Sequence, residues 1–218
     1  AFYPVLDKKL PVAFKAESVM DVQRVLTLQS DLGFNLLLGE VKQGWDVIDQ
    51  ISESEAKVFL SLNMPEIMEE KSDSTQTEDS TEKTSFDLEK EALENRKKEM
   101  IDQHYAQASA FRKAGVKFGF STLEVEFKDI RKNLINLKEY GMQESDLLAA
   151  LTTHPAELLG LSNVMGSVDA GKMANLIVSD NPYFEEDTNV RYVFVSGRLY
   201  EFEVKKKKKE DKGKESKK

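Results

Sequence analysis

Three short apolar runs at an even spacing constrain this chain more than any other feature. Leu10–Phe14, Phe34–Leu38 and Lys57–Leu62 begin at residues 10, 34 and 57, so their starts lie 24 and 23 residues apart. Each interval carries a helical pattern. Ser18 with Asp21 three residues on has the form of a capping box, and Val22, Val25, Leu26 and Leu32 then fall largely on one face before Gly33. Trp45, Val47, Ile48 and Ile51 mark a second helix after Gly44. Strands recurring at this interval with helices between them are βα units of a parallel sheet.

The rhythm breaks at Glu66–Ser85, which is rich in Ser, Thr, Glu and Asp and poor in apolar residues. Such a stretch buries too little surface to order itself, and it reads as a disordered acidic insertion at 66–85. A long helix is expected over Leu88–Ala114, then a fourth strand over Val116–Phe120. A fourth helix follows on Phe127, Ile130, Leu134 and Leu137, closed by Gly141. Beyond it the pattern changes. Asp146–Leu151 and Pro155–Leu159 read as short helices, with Thr153 or His154 capping the second. Asn175–Ser179 and Val190–Val195 read as strands, and Leu199–Val204 pairs with the latter across Ser196-Gly197.

Charge separates the body from the tail. The last fourteen residues hold nine Lys against Glu210, Asp211 and Glu215, a net of +6 within a formal total of −8, so the body carries about −14. An acidic body argues against nucleic acid as a partner. The tail lacks aromatic residues and interleaves acidic ones, the mark of a solvated linker. Cys is absent, which excludes disulfides and thiolate metal ligands. No apolar run approaches the ~20 residues of a membrane span.

The stretch Ala150–Leu161 (ALTTHPAELLGL), followed by Gly166–Val178 (GSVDAGKMANLIV) and Val190–Gly197 (VRYVFVSG), resembles the C-terminal signature of the amidohydrolase superfamily, in its imidazolonepropionase-like branch. The pieces occur in order and at matching spacing, with His154 where the signature has Asn. The resemblance extends upstream through the four βα units. It implies an α/β fold: the C-terminal half of a (β/α)8 TIM-like barrel plus the late strands of a small β-sandwich. The expected divisions are a partial barrel at 1–145, helices and sandwich strands at 146–204, and a Lys-rich tail or linker at 205–218. Four βα units do not close a barrel, so the expected partner is a missing N-terminal half of the same barrel. Closure by two half barrels is the less favoured alternative. A further domain after the tail is the other partner considered.

The family uses a divalent metal such as zinc, held at the C-terminal ends of barrel strands by a His-x-His pair, two further His and an Asp. The resemblance places Lys15 and Glu40 where the two further His are expected, and Leu123 where the Asp is expected. Leucine can neither touch metal nor accept a proton from water, and lysine is a poor ligand unless carboxylated. The side-chain directions of Glu124 and Glu126 are open at this stage. Lys15 reads as an ion-pair partner of Glu40 in preference to a carboxylated metal bridge. His104, on a polar helix face, and His154 are given no catalytic role. No residue is assigned as catalytic, and no cofactor is expected in this segment. The resemblance thus implies a segment of a hydrolase of non-peptide C–N bonds whose barrel is catalytically degenerate. The alternative is an active metal-dependent enzyme with its remaining ligands upstream.

Overall fold

The computed structural model describes residues 2–67 and 84–203, and it divides into two compact units, Ala1–Ser167 and Val168–Lys218. The first unit is built on a parallel sheet of four strands in chain order: β1 (Val12–Lys15), β2 (Leu36–Val41), β3 (Lys57–Ser61) and β4 (Phe118–Ser121). A short α1 (Tyr3–Leu6) precedes it. Helix α2 (Val19–Leu32) joins β1 to β2, and a 3-10 turn with α3 (Ile48–Glu53) joins β2 to β3. Helix α4 (Ser85–Lys113) precedes β4, and α5 (Phe127–Glu139), α6 (Glu144–Leu151) and α7 (Thr153–Leu158) follow it. Spacing of the apolar runs therefore translated into a mixed α/β fold with a parallel sheet.

Strand register assigns the two faces. Val12, Phe14, Leu36, Leu38, Val58, Leu60, Phe118 and Phe120 share one face, on which all but Val12 and Phe14 of edge strand β1 are buried. Val22, Ile51, Phe111, Leu134 and Leu137, from helices α2 to α5, are buried as well and complete the core. The opposite face carries Ala13, Lys15, Leu37, Gly39, Phe59 and Ser121, which are half-buried or exposed, and also Ser61 and Gly119, which are buried. One face of this sheet is thus packed as in an α/β protein, and the other is thinly covered toward β1.

Several boundaries differ from the sequence reading, each for a local reason. Strand β1 runs to Lys15 instead of ending at Phe14, because Lys15 still pairs with Gly39. Strand β2 runs past Leu38 to Val41 and includes Glu40. Helix α4 starts at Ser85, inside the segment read as acidic insertion. Its N-cap Thr84 and Asp87 form a capping box of the same kind as Ser18 and Asp21. The centre of that insertion lies outside the described residues, as does the Lys-rich tail. In α7, His154 is neither cap nor free end. Its Nδ1 sits 3.1 Å from the Phe118 carbonyl oxygen. A carbonyl only accepts, so the imidazole proton is on Nδ1 and ties the helix to β4.

The second unit is an antiparallel sheet, β5 (Leu176–Ser179), β6 (Val190–Val195) and β7 (Arg198–Glu201). Ser196 and Gly197 join β6 to β7 with positive φ at both positions, as a type I′ hairpin requires. Register puts Leu176, Val178, Tyr192, Phe194 and Leu199 on one face and Ile177, Val193, Val195 and Tyr200 on the other. Both faces are apolar, yet no strand residue is fully buried. Among the described residues no helix is long and apolar enough to cross a membrane.

Candidate active site at the strand ends

The C-terminal ends of β1 to β4 bring charged side chains together. Lys15 Nζ, at the end of β1, lies 2.6 Å from Glu17 and also pairs with Glu124, which follows β4. Lys42, just past β2, pairs with the same two carboxylates at 2.8 and 3.4 Å. Two lysines and two glutamates from three strand ends thus form one alternating cluster. The backbone supports it, since the amides of Lys42 and Gln43 donate to the Glu17 carbonyl at 3.1 and 2.9 Å. Hydrogen bonds from Lys15 first, then Lys42, hold the Glu17 carboxyl down at about 2. Those from Lys15 first also lower Glu124. The bonds to Glu124 and then Glu17 raise Lys15, and Lys42 is raised chiefly by its bond to Glu17.

Glu40 stands apart from this cluster, which corrects the expected Lys15–Glu40 pair. The cause is a bulge. Leu38 pairs with Val58 and Val41 with Leu60, so β2 takes three steps where β3 takes two. The extra residue puts Glu40 at φ +56° and turns its side chain onto the side of Ser61. There its carboxylate is 2% exposed, and Oε2 accepts from the Ser61 hydroxyl at 2.7 Å. Oε1 is buried with no hydrogen-bond partner. Lys15 satisfies its charge with Glu17 and Glu124 instead. Leu123 lies in the loop after β4, 57% exposed, with its amide 3.4 Å from the Ser121 hydroxyl.

Glu17 and Lys42 were not singled out by the sequence. Their only signal is position: each lies two residues beyond a strand-end candidate. Of the two acidic residues left open, Glu124 joins the cluster, whereas Glu126 pairs with Lys128 at 2.7 Å. His104 is not on a polar face. Its ring meets Trp45 edge-on at 5.1 Å, and burial, aided by Lys42, lowers its pKa. Beside the ends of β3 and β4 a cavity of about 280 Å³ is lined by Asn63, Tyr105, Glu124, Asp129 and Asn133, among others. Asn133 and Tyr105 fix its wall by donating to the Leu62 and Pro65 carbonyls at 2.9 and 3.0 Å. Among the described residues no three His, Asp or Glu side chains converge in a way that could hold a metal ion.

The amidohydrolase family profile matches residues 76–200, more than half of the 218. The chain belongs to the amidohydrolase family. Its fold is similar to the crystal structure of an amidohydrolase from Thermotoga maritima MSB8, with a TM-score of 0.69 at 20% identity. That similarity covers 91% of this chain and 45% of that one. A Xaa-Pro dipeptidase with methionine bound in its active site is similar over 90% of this chain and 46% of its own, at 21% identity and a TM-score of 0.59. The family member described here therefore spans less than half the length of these two structures. No curated protein sequence matches it.

Proposed function

We propose that this amidohydrolase-family segment is a catalytically degenerate half of a TIM-like barrel, followed by the late strands of a β-sandwich. Lys15, Glu40 and Leu123 occupy the positions where the family resemblance expects His, His and Asp. The thinly covered sheet face is what a barrel interior looks like when the opposing strands are elsewhere, and the apolar faces of the second unit suit a sandwich lacking strands. Both support a complementary N-terminal half as the partner that completes the fold.

The observation that carries the reading is the occupation of Lys15. A metal ligand needs a free lone pair, and the Lys15 ammonium is engaged by two carboxylates that raise its affinity for the proton. Leu123 offers no donor atom. Glu40 alone of the three has a conventional donor, and a water-activating zinc site uses three protein ligands. The residues present at these positions do not fit the family's metal.

Purified chain is expected to hold no stoichiometric zinc by elemental analysis and to hydrolyse no amide or imide. Lys15→His, Glu40→His and Leu123→Asp together are expected to raise zinc affinity once the complementary half is supplied. One tightly bound transition metal per unmodified chain, lost on Glu40→Ala, would overturn the reading. That outcome would favour the second one, an active metal-dependent hydrolase with its other ligands upstream. The buried, unpartnered Oε1 of Glu40 is the feature that favours it.

A further inference from the structure

The cavity of about 280 Å³ beside the ends of β3 and β4 has one wall built around a buried amide. Asn133 lines it and is only 8% exposed. Its Nδ2 donates to the Leu62 carbonyl at 2.9 Å, and because a carbonyl only accepts, this bond fixes which end of the amide is which. Oδ1 is then an acceptor, and it takes no hydrogen bond among the described residues. It is not sealed in the core either, so it opens into the cavity that the side chain lines. Asp129, one helical turn earlier on α5, lines the same wall. It is half-buried and forms no ion pair among the described residues. Four residues apart, the two side chains share one face of the helix. An anionic acceptor and a neutral one thus stand side by side.

We infer that this cavity binds a small organic ammonium ion, a primary amine on a short hydrocarbon stem. The charges of the lining are Glu66, Glu124, Glu126 and Asp129 against Lys132. Glu124 is held by Lys15 and Lys42, and Glu126 by Lys128. Glu66 and Asp129 face Lys132 alone, which leaves one negative charge over, the complement of a monocation. The ammonium group donates to Asn133 Oδ1 and to the Asp129 carboxylate, and the stem lies against Met64 and Val125. A carboxylate or phosphate would meet the lining acids, and a neutral alcohol would leave Asp129 without a counter-charge. An inorganic cation is not the match, since among the described residues no three His, Asp or Glu converge. The volume is instead near the lower end of small-ligand pockets, about 300 Å³. Asn133 and Tyr105, which donates to the Pro65 carbonyl at 3.0 Å, hold the loop after β3 in place, so the cavity is formed before a ligand arrives. Both belong to helices packed on the apolar face of the sheet, and Glu124 is the one lining residue shared with the strand-end cluster.

The probe is n-propylammonium chloride, titrated into the full chain at neutral pH and constant ionic strength and read on the Asn133 side-chain amide in nitrogen–proton spectra. A saturable shift at millimolar concentration is expected. The neutral 1-butanol, of the same length, is expected to bind at least about tenfold more weakly. Asp129→Asn, with circular dichroism unchanged, is expected to lower the affinity at least about tenfold. Lys132→Gln is expected to raise it, because Lys132 competes for the same acceptors. Glu126→Gln, whose carboxylate Lys128 already neutralises, is the control and is expected to change it by less than about twofold. Equal shifts with 1-butanol would mean a merely apolar pocket and would overturn the proposal. The same shifts produced by calcium chloride at lower concentration would mean an inorganic ion and would overturn it too, as would a fall in affinity with Lys132→Gln. Absence of a saturable shift at any concentration that the folded chain tolerates would show that the cavity takes no ammonium ion.

Discussion

Replacing Gly166 by alanine tests whether the signature glycine is there for its backbone angle or for the space beside it. Gly166 has φ +99°, and a Cβ added there would lie 2.5 Å from Ala156 Cβ and 3.0 Å from the Thr152 carbonyl oxygen. Gly160, six residues earlier, has φ +73° and nothing within 4 Å of the added atom. Both variants suffer the left-handed backbone, which costs a residue with a Cβ roughly 1–2 kcal/mol. Gly166→Ala alone also drives a methyl group into helix α7 and the residue before it, and such overpacking costs about 1–3 kcal/mol. The two are expected to differ by that second amount, against a total stability of about 5–15 kcal/mol for a domain. Urea unfolding followed by Trp45, the sole tryptophan, reads the difference. With slopes of about 1–3 kcal/mol per molar, the midpoint of Gly166→Ala falls about 1 M below that of Gly160→Ala. Equal midpoints would refute the packing argument and leave only the turn.

Two further perturbations address the strand ends. Lys15→Met is expected to let the Glu17 and Glu124 carboxyls rise toward the ordinary 4.5. Because both are depressed in the fold, the cluster's contribution is fully present above that value and is lost as pH falls toward about 2. The variant's stability should therefore respond less to acid over that window, and a Glu17 carbon resonance that titrates as before would rule this out. Gln107→Ala removes an acceptor 2.5 Å from the Gly44 amide and a donor 3.2 Å from the Val41 carbonyl, both buried. A loss of about 2–4 kcal/mol in thermal or urea unfolding is expected, and a change under 0.5 would mean that water replaces both bonds.

The fold was legible where periodicity is a one-dimensional signal. Apolar runs at residues 10, 34 and 57 sufficed for the parallel sheet because a buried strand must be continuously apolar and a returning helix has a fixed minimum length. Boundaries failed where the signal is local and polar. The start of α4 rests on Thr84 and Asp87, two residues of the same types as the insertion before them, and only the capping geometry separates the two. The site was legible only in part. Lys15 and Glu40 were singled out by the family resemblance at the strand ends, but Glu17, Lys42 and Ser61, which pair with them, were not, since pairing across strand ends depends on loop conformation. The bulge that turns Glu40 away from Lys15 adds one residue to β2 and leaves no mark in a run of Leu, Gly and Val.

In a parallel sheet every strand ends at the same edge, so whatever follows the strands is crowded into one mouth. Carboxylates gathered there need positive charge. On the reading proposed above, this chain supplies it with Lys15 and Lys42, whose two charges match those of Glu17 and Glu124. Each pair is partly exposed, and exposed ion pairs contribute little to stability. The consequence of the cluster is therefore chemical instead. A divalent cation arriving at this edge would have to displace ammonium groups already bonded to the carboxylates, whereas Glu40, turned inward by the bulge, is shielded from that exchange by Ser61 and by its own burial. The same strand end thus holds two carboxylate environments: one neutralised by lysine, and one buried with an oxygen to spare. Only the second retains capacity for a new partner, which is why Glu40→Ala is the substitution that separates the degenerate reading from the catalytic one.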